Sequence, residues 1–181
     1  MNIDKKQLKT AKNYSDALLK IGISQNDTEK LYSQLGDVVY IVNNSDDLKQ
    51  FLQNPLISPN DKKEIIYKIF GKDFDLQIIN LLNLLADNKR FKLLETVYYC
   101  YEKDYEEFHE ISRIEIISAV EMNKESKTRL NKTLKAKLGK NIIPEYKIDT
   151  DILGGLIIKI QDKIIDLSLN KRIEDMEKQL T

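Results

Sequence analysis

Apolar side chains recur at three- and four-residue steps through the first 110 residues, which is helical spacing. Leu8, Ala11, Tyr14, Leu18 and Ile21 share one helical face, and Gly22 is placed as a C-terminal stop. Ser24 is placed to cap a second helix with the face Leu31, Leu35, Val38 and Val42. Ser45 predicts a short helix that must end before Asn54-Pro55, because a residue preceding proline avoids the helical region. Ser58-Pro59 offers a cap followed by proline at the first helical position, and that helix reads through Ile65, Ile66, Ile69 and Phe70 to Gly71. Phe74 to Ala86 is apolar on nearly every face, which predicts a helix at the centre of a bundle. After the polar break Asp87-Asn88-Lys89-Arg90, the residues Phe91, Leu94, Tyr98, Tyr101, Tyr105 and Phe108 form one more amphipathic face.

The period changes near Ser112. Ile114 and Ile116 alternate with Arg113 and Glu115, as in a strand. Asn123 to Gly139 returns to helix, with Leu130, Leu134 and Leu138 four apart. Pro144 confines the segment 142–148 to a sheet edge. Segments 155–160 and 163–166 flank Gln161-Asp162 as a hairpin, and a last helix is expected from about Leu169 to Leu180. The expected fold is mainly α: a six-helix bundle over residues 1–110, then a small α+β domain over residues 111–181.

Charge divides at the same place. Residues 1–110 carry 15 basic and 18 acidic side chains, whereas residues 111–181 carry 14 and 11. Over all 181 residues the 29 cations and 29 anions cancel, so this is not a globally basic nucleic-acid binder. The run of lysines from Lys124 to Lys140 reads as the solvated side of its helix, with no aromatic platform for bases. No apolar stretch is long enough to span a membrane, and residues 1–20 lack the apolar core of a secretory signal.

Candidate chemistry is sparse. Cys100 is the only cysteine and His109 the only histidine, which leaves too few soft ligands for a structural zinc site. Gly154-Gly155 runs into a strand, without the spacing or lysine of a phosphate-binding loop. No nucleophile–base pair or paired carboxylates stand out, so no catalytic, cofactor or metal residue is expected. What remains is architectural: a connector that holds one partner on each half through grooves between amphipathic helices.

Several segments, in order, resemble the delta subunit family of F-type ATP synthases, which includes the mitochondrial oligomycin-sensitivity-conferring protein. Tyr14-Ser15-Asp16-Ala17-Leu18-Leu19 is similar to that family's Tyr-Ala-x-Ala-Leu helix, with Ser15 where Ala is usual. Asn54-Pro55-Leu56-Ile57-Ser58 with Lys62-Lys63 resembles its loop before the fourth helix, and segment 81–90 its fifth helix and polar exit. Ile116-Ile117-Ser118-Ala119 resembles a strand end. The fullest match is Ile148-Asp149-x-x-Ile152-Leu153-Gly154-Gly155-Leu156-Ile157-Ile158-Lys159, continued by Ile165-Asp166-x-Ser168.

The resemblance implies a non-catalytic stator subunit of a proton-translocating complex. Its helical domain would bind N-terminal segments of the alpha subunits on the catalytic head. Its second domain would join the b-type subunits of the peripheral stalk, so that the head resists rotation. The implied alpha-subunit surface uses Tyr14, Ala17 and Leu18 with Ile78, Ile79 and Leu82; the implied stalk attachment depends on the shape set by Gly154, Gly155, Asp166 and Ser168. The implied place is peripheral, on the cytoplasmic face of a bacterial plasma membrane or the stromal face of a thylakoid, with the membrane reached only through the complex. The other reading of the residues is a helical adaptor or regulator that binds an amphipathic peptide.

Overall fold

Asp4 opens the first helix by accepting the Lys6 backbone N–H at 3.2 Å. In the computed structural model, which describes residues 4–138, 141–160, 163–171, 173 and 176, that helix (α1) spans Lys5–Gln25. It does not stop at Gly22. Asn26 ends it in the left-handed conformation at φ 58°, and Asp27 N–H returns to the Gly22 carbonyl at 2.9 Å. Gly22 serves packing instead: an added Cβ would lie 3.1 Å from Thr28 Cγ2 and 3.2 Å from Leu31 Cδ1. Ser24, expected as a cap, sits inside α1 and donates to the Ile21 carbonyl at 2.8 Å, while Asp27 precedes the next helix. Both misreadings have one cause, since a glycine that lets two helices approach looks in sequence like one that ends a helix.

The remaining helices of the first unit are α2 (Thr28–Asn43), α3 (Asp46–Gln53), α4 (Pro59–Phe70), α5 (Leu76–Asp87) and α6 (Leu94–Phe108), the last entered through a 3-10 turn at Phe91–Leu93. Ser45 and Ser58 cap α3 and α4 through the Leu48 and Asp61 amides, and Pro59 occupies the first turn. Leu31, Leu35, Leu52, Ile66, Phe70, Ile78, Leu82 and Tyr101 are fully buried in one core. Helix α5 is less central than its composition predicts, because Leu76 and Leu84 are 69% and 48% exposed.

The chain divides into two compact units, Met1–Glu107 and Phe108–Thr181, just before the expected boundary at residue 110. The second unit runs β1 (Ile111–Ser118), α7 (Lys124–Leu138), β2 (Asn141–Ile148), β3 (Leu156–Ile160) and β4 (Lys163–Asp166). Its sheet order is β2-β1-β3-β4, with β2 parallel to β1 and the other pairs antiparallel. Pro144 therefore lies on an edge strand, opposite Ile114. One sheet face, with Ile114, Ile116, Ile142 and Ile158, packs on Leu134 of α7. On the other face Glu115 receives Lys147 at 3.2 Å and Lys159 at 3.8 Å. Helical structure resumes at Leu169–Lys171 and at Ile173 and Met176. The Gln161-Asp162 turn and the rest of the expected last helix lie outside the described residues. The fold is mainly α, with a small α+β part.

Candidate partner-binding site

Helices α1 and α5 run antiparallel. Gln77 Nε2 donates to Gln25 Oε1 at 2.6 Å at one end, and Arg90 Nη1 approaches the Tyr14 hydroxyl at 3.4 Å at the other. Between them lies an open groove of about 170 Å³. Its α1 wall is Tyr14, Ala17, Leu18 and Ile21; its α5 wall is Gln77, Asn80, Leu81 and Leu84. Ala17 is exposed and small, so the floor is shallow there, while Ile21 (40% exposed) and Leu84 (48%) leave apolar surface in water.

Tyr14, Ala17 and Leu18, named from sequence, share this groove. Ile78, Ile79 and Leu82 do not line it; they are buried in the core at 0%, 6% and 0% exposure. The helical turn of about 100° per residue explains the difference. With Ile78, Leu82 and Leu85 turned inward, positions 77, 80, 81 and 84 turn toward α1. Gln77 and Asn80, three apart, lie on this side, but Asn83 also interrupts the apolar run of α5, so its polar residues alone do not single out the wet side. A larger groove of about 510 Å³ lies on the α6 side of α1, but cations and carboxylates are mixed there and Lys12 is already paired with Asp104.

The other named residues meet at one turn of the second unit. Gly155 has φ +89°, and an added Cβ would fall 2.4 Å from the Leu167 carbonyl oxygen. Around it, Leu167 N–H donates to Leu156 O at 2.8 Å and Leu169 N–H to Gly154 O at 2.9 Å. Asp166 Oδ1 accepts the Ser168 N–H at 2.9 Å, and Ser168 Oγ accepts the Lys171 N–H at 3.2 Å. The hydrogen bonds from Ser168, side chain first and then backbone, hold the Asp166 carboxyl below its ordinary pKa. Ser168 is itself buried, so Gly154, Gly155, Asp166 and Ser168 form one interlocked structural turn.

Among the described residues no group of three His, Cys, Asp or Glu side chains could hold a metal ion. Burial, then the Asp104 charge, raises the Cys100 thiol pKa, which disfavours its reactive thiolate. No described helix is long and apolar enough to cross a membrane. What the first unit offers is a groove that can take an amphipathic helix by its apolar side.

The first unit is a helical bundle with an open groove between two of its helices, and the second is a small α+β unit. The chain belongs to the ATP synthase delta (OSCP) subunit family, whose pattern matches residues 10–180. It is 34% identical over 165 residues to the ATP synthase subunit delta of Fusobacterium nucleatum subsp. nucleatum, covering 91% of this chain and 94% of that one. It is 32% identical over 168 residues to the "ATP synthase subunit delta, sodium ion specific" of Propionigenium modestum, covering 93% and 96%. A chain in the Toxoplasma gondii mitochondrial ATP synthase hexamer shares the fold at a TM-score of 0.64, with 19% identity over 94% of this chain and 96% of that chain. The family is a structural, peripheral-stalk subunit of F-type ATP synthases.

Proposed function

We propose that this chain is the non-catalytic link between the catalytic head and the peripheral stalk. The first unit would receive N-terminal helices of the alpha subunits in the α1/α5 groove. The second would attach to the b-type stalk subunits, using the shape held by the Gly155 turn. Rotation of the central shaft applies torque to the head, and a head free to follow would turn ion flow into slippage. The chain would work by resisting that motion, so its chemistry is binding and needs no reacting group. It would reach the membrane only through the complex, on the cytoplasmic face in a bacterium.

The observation that supports this most directly is the α1/α5 groove, mainly apolar and open to solvent, in a member of this family. The test is reconstitution. Complex stripped of this chain should still hydrolyse ATP but fail to pump its coupling ion into vesicles, and adding the full chain should restore pumping. Pumping that is unaffected by removing the chain would overturn the proposal.

A further inference from the structure

The α1/α5 groove does not end at Tyr14. Beyond it, between the first turns of α1 and the segment that leaves α5, lies a cleft of about 270 Å³ flanked by Lys6, Lys89, Arg90 and Lys92, with buried Leu93 at its base. None of these four cations is ion-paired among the described residues. The acid next in sequence, Asp87, is already held by Lys63 at 2.6 Å. The Arg90–Tyr14 contact joins this basic cleft to the apolar groove, so both lie along one side of α1. From Lys6 to Ile21 that side is roughly 22 Å long at the helical rise per residue, about four turns of a docked helix.

The backbone under the cations is unusual. Lys89 holds φ 55°, its N–H donating to Ala86 O at 3.0 Å while Arg90 N–H donates to Leu85 O at 2.8 Å. This is the helix-ending turn in which glycine is preferred, and a lysine there carries strain that glycine would relieve. Cations after a helix C-terminus also complement its dipole, but a solvated lysine at the strained position is not needed for that. The positive potential is felt nearby: Lys62, buried and bonded to the Asn54 carbonyl at 2.7 Å, has its pKa lowered by burial and then by the charge of Lys89.

We propose that this cleft binds the carboxylates of the same docked helix, so that the groove takes an amphipathic partner segment whose acidic end lies over Lys89, Arg90 and Lys92. The apolar groove alone supplies affinity but accepts a helix in either direction. A cationic cleft at one end only makes one direction favourable and penalises a partner with cations there. The inference rests on the groove reading above. A peptide carboxylate suits the site better than a lipid headgroup, because the Arg90–Tyr14 contact sets the cations at the end of a mainly apolar groove between two helices.

The test uses the full chain and a peptide of about 25 residues, long enough to cover both regions, from the N-terminus of the alpha subunit of the same complex. A second peptide has every Asp and Glu replaced by Asn and Gln. Calorimetry at low salt should show the native peptide binding roughly tenfold more tightly, the yield of two or three exposed charge pairs. The gap should close at high salt. It should also close in the Lys89→Gly, Arg90→Gln, Lys92→Gln triple variant. Lys89→Gly alone should melt no lower than the parent while still narrowing the gap, which separates binding from folding. Equal affinity for both peptides, or a native segment without carboxylates, would overturn the cleft assignment and leave the groove standing. Failure of both peptides to bind would overturn both. Binding to phosphatidylglycerol vesicles that depends on these cations, with no preference between peptides, would assign the cleft to lipid instead.

Discussion

Ser15 Oγ donates to Asp104 Oδ2 at 2.5 Å, joining α1 to α6 across a buried interface where both side chains are at most 8% exposed. Lys12 reaches the other carboxylate oxygen from the solvent side and also meets Asp16 at 3.2 Å. A buried carboxylate is tolerable only when donors replace its lost water, and here a hydroxyl and an ammonium do so. Burial acts to lower the Lys12 pKa, but its hydrogen bonds to Asp104 and Asp16 and their charges outweigh that and raise it. Asp104 is the reason a hydroxyl is useful at position 15.

Ser15→Ala should therefore lower the stability of the first unit by about 1–3 kcal/mol in urea unfolding, since Oδ2 loses its buried donor. Asp104→Leu combined with Ser15→Ala removes both polar partners, and the pair should be less destabilising than the sum of the single changes. Lys12 would keep Asp16. Strict additivity in this cycle would show that the bond contributes nothing of its own.

The helices of the first unit were legible because each carries a clear apolar period and Ser45, Ser58 and Pro59 mark starts by local chemistry. The groove was only half legible. Helix α1 is amphipathic, so Tyr14, Ala17 and Leu18 could be placed on a face; α5 is apolar nearly all round, so Ile78, Ile79 and Leu82 could not be told apart from Leu81 and Leu84. Which side of such a helix is wet is decided by its neighbours. Lys89 and Arg90 read as a plain polar break because proximity to Lys6 is a tertiary fact. In the second unit the strand period and Pro144 were enough to order β2 at an edge.

Ala17→Phe should leave the thermal midpoint within about 2–4 °C of the parent, since the site is exposed and a surface change is worth at most roughly 0.5 kcal/mol. It should nevertheless weaken binding of the alpha-subunit N-terminal peptide at least tenfold, because the ring fills the shallow floor of the groove. Leu82→Ala should do the reverse: about 2–5 kcal/mol of lost stability from a core cavity, and peptide affinity intact wherever the unit remains folded. Unchanged peptide affinity in Ala17→Phe would take Ala17 out of the interface.

Alkaline pH should destabilise the first unit. Burial pushes the Tyr101 phenol up to about 12 from an ordinary 10.0, and its hydroxyl donates to the Thr28 carbonyl at 3.2 Å. Burial, then hydrogen bonds with Tyr98 and Glu102, also raises Tyr32. A folded pKa above the unfolded one means that the unfolded chain loses its proton first. Stability is then complete below pH 10 and falls as pH rises toward 12, with Tyr101 contributing on the order of 2 kcal/mol. Urea midpoints taken between pH 8 and pH 12 should decline across that window, less steeply in Tyr101→Phe, which will also start lower for want of the Thr28 bond. A flat profile would mean that these phenols are not buried as described.

The two adjacent glycines of the second unit should respond very differently to the same added methyl. At Gly155 the backbone holds φ +89°, and the new Cβ would lie 2.4 Å from Leu167 O and 2.9 Å from Ser168 Cα. Those are main-chain atoms pinned by the Leu167–Leu156 and Leu169–Gly154 hydrogen bonds, so neither strain nor overlap can relax cheaply. At Gly154 the Cβ would meet Leu169 Cδ1 at 2.8 Å, the far end of a flexible side chain that is 46% exposed and can swing aside. Ser168→Ala removes a cap to Lys171 N–H and should cost about 1 kcal/mol. Gly155→Ala should therefore be the most damaging, Ser168→Ala intermediate and Gly154→Ala mildest when unfolding of the second unit is followed. If the turn acts on stalk attachment only through shape, affinity for the b-type subunits should fall in the same order. A Gly154→Ala protein that is as stable as the parent yet fails to bind the stalk would make Gly154 a contact residue and refute that account.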